Sequence, residues 1–189
     1  MNILHRRYCR SDSWRQAVHH GMLPWVLGEI DLGANVLEIG PGPGVTTDWL
    51  RERVPALTCI EIDRKLADAL KARLNGTNVT VVEGDATAMP FPDQAFDFAV
   101  CFTMLHHVPS RDLQDRLLAE TLRVLKPGAL FTGSDSTPSL RFRLFHVFDT
   151  CVPADPETFA ARLEAAGFID AQVVRQPQYN TFKFSARKG

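Results

Sequence analysis

Apolar and polar positions along this chain fall into two alternating periods. Short apolar runs (VLEI, LTCIEI, VTVV, FDFAVC, ALFTG) are separated by stretches with apolar residues every three or four positions, such as RKLADALKARL and RDLQDRLLAETLRVL. The first kind fits buried strands and the second fits amphipathic helices. The pattern predicts strands at 35–39, 57–62, 78–82 and 96–101 and over ALFTGSD, with helices at 44–54 and 64–74 and from Ser110 to Leu125. Lys126-Pro127-Gly128 reads as the stop of that last helix. Helix ETFAARLEAAG and strands AQVVRQ and TFKFSAR follow. Upstream, helical patterning runs from Asp12 through WRQAVHHGMLPWVLGEI and is expected to break at Gly21 and Pro24.

Strands alternating with helices imply an α/β fold with a parallel sheet and right-handed crossovers. The last two strands are too close for a crossover helix, so they are expected to pair as a hairpin with an antiparallel last strand. One domain over 1–189 is expected, with 1–30 as an N-terminal helical cap and 136–156 as a candidate lid segment.

Composition narrows the class. The chain has 189 residues, 45% hydrophobic and 23% charged, which suits a single core. A formal net charge of −1 without a long basic run argues against a nucleic-acid partner, though not against a local basic patch. Cys9, Cys59, Cys101 and Cys151 are isolated and show no metal-ligand spacing, so no metal is expected. Cys59 and Cys101 read as buried thiols within strands. No apolar stretch approaches the ~18 residues of a membrane span. MNILHRRYCR lacks a following apolar leader region, so a cytoplasmic protein is expected.

The chemistry begins at VLEIGPGPG, where the first strand meets Glu38 and then Gly40, Gly42 and Gly44 at alternate positions. A dinucleotide turn needs G-x-G-x-x-G and a P-loop needs a lysine after its last glycine; neither is present. Glu38 would repel a diphosphate. It would suit a cofactor carrying a sulfonium and an ammonium, which is S-adenosylmethionine (SAM). Glu61, at the end of the second strand, is suited to accept from both hydroxyls of a ribose. Asp63 beside it reads as the N-cap of the next helix. Asp85, at the third strand end, is suited to accept from the adenine amine, with the Ala86 N–H offered to the ring.

VLEIGPGPG, CIEID, VVEGDATAMPF, FDFAVCFTMLHHV and LRVLKPGALF follow the order seen in class I SAM-dependent methyltransferases, and from Val36 to Phe131 the chain resembles that family. The resemblance implies a Rossmann-like three-layer sandwich around a seven-stranded, mostly parallel sheet with an antiparallel last strand. It also implies SAM lying across the C-terminal ends of the first strands. Carried over by position, Glu38, Gly40 and Gly42 would meet the methionine part and sulfonium. Glu61 and Ile62 would hold ribose and adenine, Asp85 and Ala86 the adenine edge. Phe102, just past the fourth strand, would offer backbone to the ammonium.

The first half is also similar to ribosomal RNA adenine dimethyltransferases. Those enzymes resemble one another in a proline turn after the fourth strand, where this chain has CFTMLHHV. Metal-dependent catechol-type enzymes want carboxylates there, and Cys101-Phe102-Thr103 provides none. A small-molecule acceptor methylated on O, N or C is therefore expected, with S-adenosyl-L-homocysteine as product. The alternatives are an rRNA adenine-like methyltransferase, a non-catalytic SAM-binding protein and, more distantly, a NAD-linked oxidoreductase. His106 is the candidate general base; its other reading is a cap for the following loop or packing near the methionine moiety. His107 reads as structural. Aromatic and basic residues of the flanks, His5, Tyr8, Trp14, His19 and His20 in the cap and Arg141 to Phe148 in the lid, would hold a hydrophobic substrate bearing an acid group. Their alternative is a helix that packs Leu140, Leu144 and Val147 onto the sheet and leaves Arg141 and Arg143 in solvent.

Overall fold

Each apolar run pairs with a neighbour of the same kind, and the pairs build one seven-stranded sheet. The structure is a computed structural model that describes residues 7–139, 142, 144, 146, 147 and 149–189. His5, Leu140, Arg141, Arg143, Phe145 and Phe148 lie outside the described residues. The strands are β1 (Asn35–Ile39), β2 (Ala56–Glu61), β3 (Val79–Glu83), β4 (Phe96–Phe102), β5 (Leu125–Ser136), β6 (Phe168–Gln176) and β7 (Thr181–Lys188). Their spatial order is β3-β2-β1-β4-β5-β7-β6. Pairing is parallel from β3 to β5, and β7 runs antiparallel to both β5 and β6. The hairpin and the reversed last strand are as expected.

Helices cover both faces, giving three layers. α2 (Leu23–Leu27), α3 (Val45–Leu50) and α4 (Arg64–Arg73) pack Val26, Leu50 and Leu70 against Val36, Cys59 and Val100 of one sheet face. On the other face, α5 (Arg111–Val124) and α6 (Pro156–Ala165) pack Leu117 and Phe159 against Leu37, Cys101 and Phe131. Side chains that alternate along each strand thus serve two cores, as buried parallel strands require. Cys59 and Cys101 are buried free thiols.

Three boundaries differ from expectation, each for a local reason. The N-terminal helix does not break at Gly21 and Pro24. α1 (Asp12–Ala17) passes through a π-helical turn, Val18–Met22, into α2. The wider turn, closed by the Leu23 N–H on the Val18 carbonyl, stands just ahead of Pro24 and relieves the clash of its ring with the preceding turn. Helix α3 ends at Leu50 rather than 54, because the Arg53 N–H donates to the Leu50 carbonyl at 2.8 Å and tightens the chain into a turn ahead of Pro55. Lys126-Pro127-Gly128 does not separate helix from strand but lies inside β5, whose Leu125 pairs with Phe96 before the register shifts. A second register shift puts one extra residue into β6 between Ile169 and Gln172, with Asp170 in the left-handed region at φ 54°.

Asp63 caps α4, accepting from the N–H groups of Lys65 at 3.0 Å and Leu66 at 3.2 Å. Replacing it with alanine should cost ~1 kcal/mol, as loss of an N-cap typically does. A urea midpoint that does not move would show that the cap adds nothing there.

Candidate active site

Strand order brings the C-terminal ends of β3, β2, β1 and β4 side by side, so the acids and glycines read from the sequence meet on one edge of the sheet. After β1, Gly40, Gly42 and Gly44 all have positive φ, at 68°, 56° and 86°. Three left-handed residues in five turn the chain back on itself, and Gly44 donates to the Pro41 carbonyl at 2.9 Å. The glycines differ in what crowds them. A Cβ on Gly44 would come within 2.4 Å of the Arg73 guanidinium, and one on Gly40 within 2.9 Å of Met104. A Cβ on Gly42 would meet nothing within 4 Å, so the loop faces open space on that side of the residue.

The two strand-end glutamates have distinct environments. Glu38 is only 1% exposed; Thr46 and Thr47 of α3 donate hydroxyl hydrogen bonds to its carboxylate, and the Cys59 thiol donates at 3.3 Å. Burial pushes its carboxyl above the usual range, and the hydroxyl donors pull the other way. The carboxylate is turned onto the start of α3. Glu61 instead joins strand to loop. Its Oε2 accepts from the Gly42 N–H and its Oε1 from the Asp63 N–H, both at 2.9 Å. Burial raises its pKa as well, opposed by those two backbone donors.

Ile62, next in the chain after the end of β2, is 68% exposed. The Gly84 N–H donates to the Glu61 carbonyl at 3.0 Å and thereby seats Asp85 beside it. Asp85 is exposed and its Oδ1 accepts from the Thr87 N–H at 2.8 Å, whereas Ala86 is buried. Phe102 is the last residue of β4 rather than one past it, because pairing with β5 continues to Ser134; its ring is buried in the core. Thr103 follows in the left-handed region at φ 48°, a strained setting of the kind that gathers at functional sites.

Beyond it, Leu105–His107 forms a single 3-10 turn. Gln114 of α5 anchors this turn by donating to the Leu105 and Val152 carbonyls at 3.0 and 2.7 Å. His106 is 2% exposed; its Nδ1 lies 2.5 Å from Asp135 Oδ1, and its backbone N–H donates to Asp135 Oδ2 at 3.1 Å. Phe142 and His146 pack edge-on to the His106 ring, each at 4.9 Å between centroids. Leu144 and Val147, by contrast, are 64% and 45% exposed. The alternative in which these two pack onto the sheet does not hold: the segment turns Phe142 and His146 inward instead.

Sequence reasoning missed Asp135, Gln114, Thr46 and Thr47. The signal for Asp135 was present, since it too is an acid near the end of a parallel strand. Gln114 and the threonines carry no such signal, because their roles arise from tertiary contact.

Residues 37–132 match the family model described as "Methyltransferase domain". The chain is 47% identical over 58 residues to a probable ribosomal RNA small subunit methyltransferase A of Thermococcus onnurineus, covering 31% of this chain and 21% of that protein. It is 32% identical over 108 residues to a fatty-acid O-methyltransferase of Mycolicibacterium smegmatis, covering 56% and 38%. The matches thus span about a fifth to two fifths of these relatives' own length. A SAM-dependent methyltransferase from Aquifex aeolicus shares the fold with a TM-score of 0.78, at 22% identity and full coverage of both chains.

Proposed function

Because the chain belongs to the methyltransferase-domain family, we propose that it carries the methyl group of SAM to a small-molecule acceptor at O, N or C. The observation that carries this reading is the Glu61–Gly42 bond beside open space, with exposed Ile62 at its flank. Glu61 has lone pairs left for two ribose hydroxyls, since a carboxylate offers about four acceptor sites. Ile62 gives adenine an apolar wall, Asp85 accepts from its amine, and the Ala86 N–H meets the ring. The methionine part runs along Gly40 and Gly42, with Phe102 backbone at its ammonium. Glu38, held by Thr46 and Thr47, meets the methionine part and sulfonium with those glycines. Methyl transfer is an in-line displacement, and fixing donor and acceptor in line supplies up to ~7–11 kcal/mol. Segments 1–30 and 136–156 serve this single domain as cap and lid; the inward turn of Phe142 and His146 supports the second.

A small acceptor is favoured by the absence of a proline turn in CFTMLHHV and by the fatty-acid enzyme among the relatives. RNA is the second reading, favoured by the ribosomal RNA enzyme among them and by Arg15, Arg51, Arg53 and Arg73 around one concavity of about 610 Å³. Three of those arginines share the one carboxylate of Asp48, and Arg51 and Arg53 share Glu52, so the concavity keeps an excess of positive charge (4 − 2 = 2). The test is incubation with methyl-labelled SAM, a metabolite extract and structured RNA. Label is expected in the small-molecule fraction. Label in RNA alone would establish the second reading, and bound SAM with no transfer would leave a binding protein. A melting temperature raised by NADH and not by SAM would overturn the cofactor itself.

A further inference from the structure

The histidine turn after β4 shows a pattern that goes beyond a single candidate base. One ring nitrogen from each of His106, His107 and His146 lies within 4.8 Å of the others, and the ring centroids are 4.2, 4.9 and 5.5 Å apart. All three rings have Nδ1 against a hydrogen-bond acceptor. His106 Nδ1 faces Asp135 Oδ1 at 2.5 Å, His146 Nδ1 the Phe142 carbonyl at 2.8 Å, and His107 Nδ1 the Thr150 carbonyl at 3.3 Å. Carbonyls and carboxylates only accept, so each Nδ1 must carry the proton. A neutral imidazole protonated at Nδ1 has its lone pair on Nε2. His106 Nε2 is buried and has no hydrogen-bond partner among the described residues. A buried acceptor left unmatched costs ~1–3 kcal/mol.

We propose that His106, His107 and His146 bind a divalent first-row metal ion, zinc foremost, through their Nε2 atoms. Histidine ligands tied at the far nitrogen to a carboxylate or a backbone carbonyl are how proteins fix the tautomer and aim of a metal-binding imidazole. Three neutral imidazoles suit zinc, and by the same softness copper, nickel or iron. Nitrogens ~2.1 Å from a tetrahedral zinc stand ~3.4 Å apart, so the trio has to draw in by about an ångström. Three protein ligands leave the fourth position to water or substrate. The sequence concealed the site. His106 and His107 are adjacent, a spacing that signals nothing, and His146 comes from 39 residues away across β5 (146 − 107 = 39).

The experiment is zinc titration of chelator-stripped protein, read by competition with a chromophoric chelator, and cobalt(II) substitution read by its visible ligand-field bands. One equivalent of zinc is expected, with tetrahedral cobalt bands. His146→Ala and His107→Ala should each weaken zinc at least tenfold, and Asp135→Asn ten- to a hundredfold as loss of an orienting carboxylate does. Circular dichroism and SAM affinity monitor folding; His146 and His107 lie outside the strand core, which keeps the test open if His106→Ala or Asp135→Asn misfolds. No stoichiometric zinc, or zinc bound equally by the folded His146→Ala and His107→Ala variants, would overturn the site. So would zinc lost only on replacing His19 and His20, which would assign it to the N-terminal helix.

Discussion

Alanine at Gly133 should leave little folded protein. Gly133 sits mid-strand in β5, opposite Cys101 of β4 and Phe184 of β7. A Cβ there would stand 1.9 Å from the Cys101 carbonyl oxygen and 2.8 Å from Phe184 Cζ. The oxygen belongs to the backbone of a central strand and cannot swing aside. The ring of Phe184 is 1% exposed and wedged against Phe131 and Phe159, both at 5.0 Å between centroids. Overpacking ordinarily costs 1–3 kcal/mol; parting two central strands by more than an ångström should exceed about 3 kcal/mol. That is a large share of the ~5–15 kcal/mol that holds a typical domain together. The expected results are insoluble expression or a melting temperature lower by roughly 10 °C. A drop of only a degree or two would mean that the strands part more easily than their packing implies.

Glu61→Ala should weaken SAM by at least tenfold while the fold survives. Hydrogen bonds to a charged acceptor contribute ~1.5–3 kcal/mol each, and tenfold in affinity is about 1.4 kcal/mol. The substitution also frees the Gly42 N–H from its partner, so the loop loses the tether that holds it to β2. Isothermal titration with SAM, beside urea unfolding, separates the two effects. Weaker binding at near-normal stability is the expected pair of results. Unchanged affinity would remove Glu61 from the ribose and, with it, the main support for the cofactor's orientation.

The fold was legible because period and punctuation agree over most of the chain: strands at 35–39 and 96–101 and the helix at 64–74 stand within a residue or two of their predicted places. The exceptions share a cause. Pro24 and Lys126-Pro127-Gly128 are strong local breakers, yet a π turn and a register shift absorb them, and neither device leaves a mark in the sequence. At the site, residue types at strand ends pointed to Glu61, Asp85 and the glycines, which the strand order gathers on one edge of the sheet. Which groups hold a buried carboxylate is decided in three dimensions, so the donors to Glu38, Thr46 and Thr47 of the next helix, carry no mark at the strand end. The partners of His106 were not legible because Asp135 and His146 reach it from 29 and 40 residues downstream (135 − 106 and 146 − 106).

The extra residue in β6 has a consequence beyond the site. β6 is an outer strand of the sheet, and its unpaired backbone groups would be a template for another strand. The bulge between Ile169 and Gln172, with Asp170 turned left-handed, bends that edge out of the flat, regular line that a second chain needs for pairing. Although Ile169 and Val174 expose about half their surface there, 49% and 47%, sheet-to-sheet growth meets a misaligned row of donors and acceptors. One residue too many on an outer strand is thus a guard against aggregation.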